Sequence, residues 1–429
     1  MAKPLAPLRR DLDHFPSPDR GRPGLVIQDR NRYSEHQLIV PPLLVQVLEV
    51  FDGQNTPLDL RAALTRLTGE LDTSGVASQL ESALSAAGFL EDDNFVAIRE
   101  ARLRDWRASD VLIHSHSGPL NYPDDPAALR TQFDQWFNAV PKPDAKPVRA
   151  IASPHASPGA ASRSYAHAYA ALAQSLSKEQ AADKTFVILG TSHYGEMDCL
   201  GSTRKDFDTP MGRAPVNRSL LAELKRDGGA GVLDEDYFFS LEHSVEFQVV
   251  FLQYLYGPNV KILPLLCGSY ARSIHLGGPP EKSDDVRRYL DALRALDAKH
   301  GEALVWVLGV DMAHIGTRYD DAAPATAHAG AMRDVERQDR RRIDALNAGE
   351  IDAFWSQIQE GRDPLKWCGS APFYTFLRAM PSARGELLDY EHWQIDPESV
   401  VSFGAMSFLR ESEIPGEVPV RQSPGPAPT

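Results

Sequence analysis

The chain has 429 residues, of which 42% are hydrophobic and 24% charged, and its formal net charge is −14. The length predicts two or three domains, and the composition is that of a soluble globular protein with ample core-forming side chains. An acidic balance excludes a broad phosphate-backbone binder, so no nucleic-acid partner is expected. No apolar stretch approaches the ~20 residues that span a bilayer, so no membrane partner is expected either. The opening MAKPLAPLRRDLDHF has no apolar h-region and argues against a secretory signal. Three cysteines (Cys199, Cys267, Cys368) cannot all pair with one another. Free thiols in a reducing cytoplasm are the simplest reading, and the expected location is cytoplasmic.

Residues 1–23, rich in Pro, Arg and Asp, read as a flexible lead-in. From Gly24, GLVIQDRNRYSEHQLIV predicts two short strands around a polar turn at Asp29 to Arg32. PPLLVQVLEVFDG places Leu44, Val47, Leu48 and Phe51 at helical spacing and stops at Gly53. In TPLDLRAALTRL, Thr56 is the N-cap and Pro57 the first helical residue, with Leu60, Ala63, Leu64 and Leu67 on one face. A third helix is predicted near Ser74–Ala87, and FLEDDNFVAI as a closing hairpin around Asp92-Asp93-Asn94. Hairpin, three helices and hairpin make a small winged-helix-like domain over 24–97. Residues 1–100 carry 10 Lys/Arg against 15 Asp/Glu, a net of −5, which disfavours DNA binding. The order of elements, and the run from Tyr33 through VFDGQNTPLDL to GFL, resembles the PqqD-like peptide-recognition domains. In those, a winged helix presents a strand edge to a leader peptide.

Residues 101–140 read as transitional, with a loop holding His114 and His116 and a helix beginning near Pro126. Beyond 148, apolar strands alternate with helices. Strands are predicted near 148–153, 185–190, 260–266, 304–310 and 400–409. Helices are predicted at 162–177, 217–226, 241–256, 284–299, 327–348, 350–359 and 370–380. Such alternation implies an α/β fold with a mostly parallel sheet covered on both faces. Residues 269–285 read as a long surface loop, and 411–429 as a disordered Pro-rich tail.

Three apolar runs stop at a histidine or just short of one: AIASPH (150–155), FVILGTSH (186–193) and VWVLGVDMAH (305–314). In an open α/β sheet the ligand crevice lies at the carboxyl ends of the strands. His155, His193, Asp311 and His314 are therefore delivered to one rim. Cys368, in PLKWCGSAPF before a helix start, can reach the same rim. Imidazole with thiolate suits a borderline or soft divalent metal, and imidazole with carboxylate suits iron. In LEHSVEFQVVFLQYLY, His243 and Glu246 fall at i, i+3 on one helical face and are expected to support a ligand histidine from behind.

SPHASPGAASRSYAHAY, FVILGTSHYG, EHSVEFQVVFLQYL, VLGVDMAHIG and WCGSAPFYTFL together resemble the Memo family, which includes proteins labelled AmmeMemoRadiSam system protein B. SHSGPLNYP at 115–123 is similar to the family's opening motif, and the resemblance spans about 110–410. It implies the α/β sandwich of class III extradiol dioxygenases, which are non-haem iron enzymes. It also implies that His155, His193 and Cys368 are metal ligands, and that His314, with Asp311, stands where the related dioxygenases keep an acid/base histidine. The chain departs from the family pattern at Ser157 and Pro158, where Gly and Tyr are usual, and at GVD in place of SSD before Asp311. The dioxygenases complete their triad with glutamate, whereas a cysteine stands here, so ring cleavage does not follow.

The expected function is a metal-dependent oxidoreductase using iron or copper, or zinc in a hydrolytic variant. The alternative is a binding module that keeps an enzyme-like pocket for a small molecule or peptide. Its N-terminal domain would recruit a peptide or a radical-enzyme partner.

Overall fold

The structure, a computed structural model, describes residues 3–410 apart from Arg20 and Glu235. It divides into two compact units, Met1–Ser109 and Asp110–Thr429. The tail expected over 411–429 lies outside the described residues.

In the first unit, β1 (Leu12–Pro16), β2 (Leu25–Asp29) and β3 (Gln37–Val40) form an antiparallel sheet in that order. The turn between β2 and β3 follows the sequence expectation. The lead-in does not, because residues 1–23 supply β1. Leu5 and Leu12 are buried in the unit's core, and the buried Arg9 guanidinium pairs with Asp29 at 2.9 Å and lies 3.8 Å from the centre of the Phe95 ring. These contacts hold the segment despite its polar composition.

A short helix, Pro42–Val45, runs into a 3-10 turn and is followed by helices Pro57–Thr68, Ser74–Ala86 and Asp93–Ala108. Pro57 opens the second of these, and Thr56 donates from its backbone N–H and its hydroxyl to Asp59. The last helix replaces the predicted closing hairpin. Asp92 accepts from the Phe95 N–H at 2.9 Å, so the Asp-Asp-Asn cluster caps a helix instead of turning a hairpin. That helix also takes in the first eight residues of the stretch read as transitional, 101–108.

The second unit contains β4 (Val111–Ile113), β5 (Ala150–Ser153), β6 (Thr185–Thr191), β7 (Leu200–Ser202), β8 (Asp206–Thr209), β9 (Gly212–Ala214), β10 (Val232–Leu233), β11 (Lys261–Cys267), β12 (Leu304–Gly309), β13 (His314–Gly316), β14 (Ala383–Asp396) and β15 (Ser399–Arg410). Strands β4, β8 and β9 make a small separate sheet. The large sheet runs β10-β7-β11-β6-β12-β5-β15-β13, with β14 paired to β15. Its centre, β11-β6-β12-β5, is parallel. Every residue of β5, β6 and β12 is buried. Successive side chains on a strand point to opposite faces, so both faces of this centre are covered.

Helices at Ser162–Ser175, Arg218–Gly228, Asp284–His300, Ile351–Gln359 and Ser370–Ala379 lie close to their predicted spans. Two others start late. Met332–Asn347 begins five residues past its predicted start, and Glu246–Tyr256 begins at Glu246, so His243 lies in the turn ahead of it. The predicted 269–285 loop contains a helix at Ala271–Leu276. Phe251 carries much of the packing beneath the site, stacked against Phe133 at 4.2 Å, Tyr165 at 4.4 Å and Tyr169 at 5.0 Å between ring centres. Among the described residues, no helix is long and apolar enough to cross a membrane.

Candidate metal centre

The parallel centre of the sheet aims three consecutive carboxyl ends at one rim. His155 lies two residues past β5, His193 two past β6 and Asp311 two past β12. Cys368 arrives from a turn much later in the chain, just before the helix Ser370–Ala379. Its backbone carbonyl accepts from Thr191 Oγ1 at 3.2 Å, and the Gly369 N–H donates to the Asp311 carbonyl at 3.0 Å. A Cβ on Gly369 would lie 2.7 Å from that carbonyl oxygen and 2.8 Å from Val310 Cβ. Only glycine lets the cysteine loop come so close.

One ligand atom from each of His155, His193 and Cys368 lies within 4.8 Å of the others, so the three can hold a metal ion. The tautomers are set for it. His155 Nδ1 lies 2.9 Å from the Gly309 carbonyl, an acceptor only, so the proton sits on Nδ1 and the Nε2 lone pair faces the cluster. His193 Nδ1 lies 3.0 Å from both oxygens of Glu242, which also accepts the His193 backbone N–H at 2.9 Å. His155 Nε2 is 3.3 Å from Cys368 Sγ. Tetrahedral bond lengths for a nitrogen and a sulfur on one ion give a separation of about 3.6 Å, so the two atoms need spread by only about 0.3 Å to share an ion. Burial and the Asp311 charge push the Cys368 thiol well above its ordinary range. A cation is what would make it a thiolate.

Asp311 takes a different place from the ligands. Its Oδ1 accepts the backbone N–H groups of His155 (3.0 Å) and Ala156 (3.2 Å), and its Oδ2 is 3.5 Å from His155 Nε2. It fixes the His155 loop, whose unusual Ser157-Pro158 leaves this anchor intact. His314 opens β13 and donates from Nδ1 toward the Met312 and Lys366 carbonyls at 3.0 and 3.1 Å. Burial, reinforced by the His155 and His193 imidazoles, pulls it down to about 4 against the pull of Asp311. At neutral pH it is an uncharged imidazole with an Nε2 lone pair.

The supporting pair read from the sequence is divided. Glu246 accepts from the backbone N–H groups of Ser115 and His116 and from His116 Nδ1, each at 2.9 to 3.0 Å, and from the Tyr122 hydroxyl. It therefore pins the 115–122 loop and touches neither ligand histidine. His243 is stacked on His193 with ring centres 5.5 Å apart, and stands 5.4 Å from His155 and 5.5 Å from His116. Burial keeps it neutral.

The residue that orients a ligand is Glu242, which the sequence reading missed. Burial opposes its ionisation, but the hydrogen bonds and charge of His193 hold it far below the usual carboxylate range. A second group, His193, Glu242 and His243, also lies within ligand distance. There the Glu242 oxygens already serve His193 and the backbone N–H groups of His243 and Ser244. The Glu242 carboxylate is thus committed to hydrogen bonds, which leaves His155, His193 and Cys368 as the set better suited to a metal.

Fold and site together define an α/β protein with a rim-mounted His, His, Cys cluster able to hold a metal ion. The Memo-like protein family model matches residues 114–407, and the chain belongs to that family. A MEMO1 family protein of Aquifex aeolicus is 26% identical over 409 residues, covering 94% of this chain and 100% of its own. That alignment leaves too few residues outside to exclude the first unit, so it runs into it. A MEMO1 family protein of Methanopyrus kandleri is 27% identical over 305 residues, 67% of this chain and 96% of its own. One of Thermococcus kodakarensis is 28% identical over 247 residues, 54% of this chain and 78% of its own.

Proposed function

We propose that the second unit is a mononuclear metal enzyme of redox type, with iron or copper held by His155, His193 and Cys368. The observation that carries this is the pair of imidazoles whose Nδ1 atoms are tied down at Gly309 and Glu242 while a buried sulfur stands 3.3 Å from His155 Nε2. Two imidazoles and one thiolate leave coordination positions for a substrate or oxygen, as a catalytic centre requires. A bound redox metal would supply electron transfer and Lewis acidity. The chain's own groups do the rest: His314 Nε2 accepts or returns a proton, Asp311 holds the His155 loop, and Glu242 keeps His193 aimed.

The fold relationship implied is to the class III extradiol dioxygenases. Because Cys368 stands where those enzymes keep a carboxylate, ring cleavage is not part of the proposal, and the easily oxidised thiolate favours other redox chemistry. The substrate class is a small molecule or peptide side chain reaching the rim in the cytoplasm. The first unit, which the Aquifex relative shares by alignment, is the part we assign to recruiting a peptide or radical-enzyme partner, as its resemblance to PqqD-like domains implies.

Metal analysis of protein purified without a histidine tag and reconstituted anaerobically tests this. Stoichiometric iron or copper in the parent, lost in His193→Ala with little change in melting temperature, is the expected result. Substoichiometric metal in the parent, or metal kept by His193→Ala while the fold collapses, overturns it. Peptide binding that survives complete metal removal would instead favour a non-catalytic binding module.

A further inference from the structure

Cys368 is followed back along the chain by Trp367, and that indole begins an unbroken polar path. Trp367 Nε1–H donates to Asp339 Oδ1 at 2.6 Å. Asp339 Oδ2 accepts the Tyr390 hydroxyl at 2.7 Å and the Ser402 hydroxyl at 2.6 Å. Tyr390 Oη is 2.9 Å from His392 Nε2, and His392 Nδ1 accepts the backbone N–H of His328 at 3.2 Å. The His328 and His392 rings are stacked with centres 4.7 Å apart, and His328 is exposed. Because His392 Nδ1 is an acceptor, its proton is on Nε2. The whole path is therefore oriented toward the carboxylate, which receives from tryptophan on one oxygen and from tyrosine on the other.

Asp339 is fully buried, and its neighbour Arg342 gives its hydrogen bonds to Asp363 at 2.9 Å and to the Gln357 carbonyl at 3.2 Å. The two Asp339 oxygens take three neutral donors, with only the nearby Arg342 charge to offset desolvation, and an asparagine would set an NH2 against one of those donors. What asparagine cannot do is take a proton. Indole and phenol are the aromatic side chains that give up a single electron most readily, and each loses a proton when it does. Here both face one shared base.

We propose that Trp367, Asp339 and Tyr390 form a relay that carries oxidising equivalents from the Cys368 side of the site toward the surface at His392 and His328. The oxidant is a peroxide. Trp367 gives one electron to it and its Nε1 proton to Asp339 Oδ1. Tyr390 then returns an electron to Trp367, its O–H bond breaks with the proton passing to Oδ2, and Asp339 gives back the proton on Oδ1 to re-form the indole N–H. Repeating the first step spends Trp367 once more. Before that repeat, Asp339 releases the Tyr390 proton to solvent, so that its carboxylate can again take the Nε1 proton. Per peroxide reduced to two waters, the two side chains supply two electrons and water supplies the two protons; they end as a tyrosyl and a neutral tryptophanyl radical, with one of their own protons on Asp339 and the other in solvent. The relay spares the Cys368 sulfur from both oxidising equivalents.

The proposal rests on the metal reading for its oxidant but not for its path, and the experiment separates them. Full-length protein freed of metal by chelation is photo-oxidised with a ruthenium(III) tris-bipyridyl complex, frozen and examined by electron paramagnetic resonance. Parent protein is expected to give a tyrosyl signal that falls at least tenfold in Tyr390→Phe and in Asp339→Asn, but persists in Tyr254→Phe. Iron-loaded protein treated with hydrogen peroxide is expected to show the same ranking. A tyrosyl signal that survives Tyr390→Phe in metal-free protein, or that disappears instead in Tyr319→Phe beside His314, overturns the relay. A relay seen in the metal-free sample with no iron taken up would leave the path standing and remove the metal reading.

Discussion

His193 Nδ1 lies 3.0 Å from each carboxylate oxygen of Glu242, and its own backbone N–H donates to the same group at 2.9 Å. One buried carboxylate thus fixes both the ring and the chain from which it projects. Replacing Glu242 by Gln keeps the shape but removes the charge and one acceptor. Metal affinity is expected to fall about 10- to 100-fold, the usual effect of losing such a partner. Competition against a chelator of known affinity measures it; an unchanged affinity would sink the orienting role.

Cys368 is a thiol pushed well up by burial and the Asp311 charge. Ligation has to remove its proton, so binding should release about one proton and weaken by about tenfold for each pH unit lowered near neutrality. Calorimetric titration in two buffers of different ionisation enthalpy counts the proton. Cys368→Ser should abolish both the release and most of the affinity.

Gly369→Ala places a Cβ 2.7 Å from the Asp311 carbonyl oxygen. Overpacking of this kind costs about 1–3 kcal/mol. The strain falls on the residue next to Cys368, so metal binding should suffer more than the melting temperature does. Equal loss of both would mean that the cysteine loop is not held in place by this contact.

Asp339 is raised to about 6 by burial, which outweighs the hydrogen bonds from Ser402, Tyr390 and Trp367. A raised acid keeps its proton in the folded state over a range where the unfolded chain has lost it. Its contribution is therefore fully present below about pH 4 and is lost as pH rises to about 6, above which it is constant. Glu242, held low, contributes with the opposite sign: its stabilisation is present above the ordinary carboxylate range and lost as pH falls. Asp339→Asn should remove the falling limb and leave the acid-side loss. Denaturant midpoints between pH 4 and 7 distinguish the two; an identical profile in parent and variant would exclude the assignment.

Arg9 pairs with Asp29 at 2.9 Å with both side chains buried. Arg9→Ala leaves that carboxylate buried without its partner, a change that costs about 3–5 kcal/mol. The loss should be confined to the first unit, which has its own core. Limited proteolysis should cut residues 3–109 while metal retention in the second unit is unchanged. Coincident loss of both would show a single cooperative structure.

The rim residues were readable because parallel strands share a direction: once an apolar run is recognised as a central strand, whatever follows it lies at a common edge. His155, His193 and Asp311 follow from that rule, and the cysteine came from motif resemblance. Glu242 was not readable, because it sits in a turn and owes its role to a tertiary approach across 49 residues of sequence. Asp92-Asp93-Asn94 was ambiguous by chemistry, since the side-chain oxygens that close a turn also cap a helix. β14 escaped notice because almost all of its residues are half-buried, so no clean alternation marks it. β1 was hidden by prolines and charges whose partners lie in β2 and in the closing helix.

The three donor groups sit on loops 38 and 175 residues apart along the chain. Bringing such distant points together costs chain entropy that only the assembled sheet has already overcome. An unfolded or half-folded chain cannot offer the same trio, so a cation held there discriminates in favour of the finished topology. Occupancy then acts as an inspection step on folding, and heat resistance should climb logarithmically with free metal concentration.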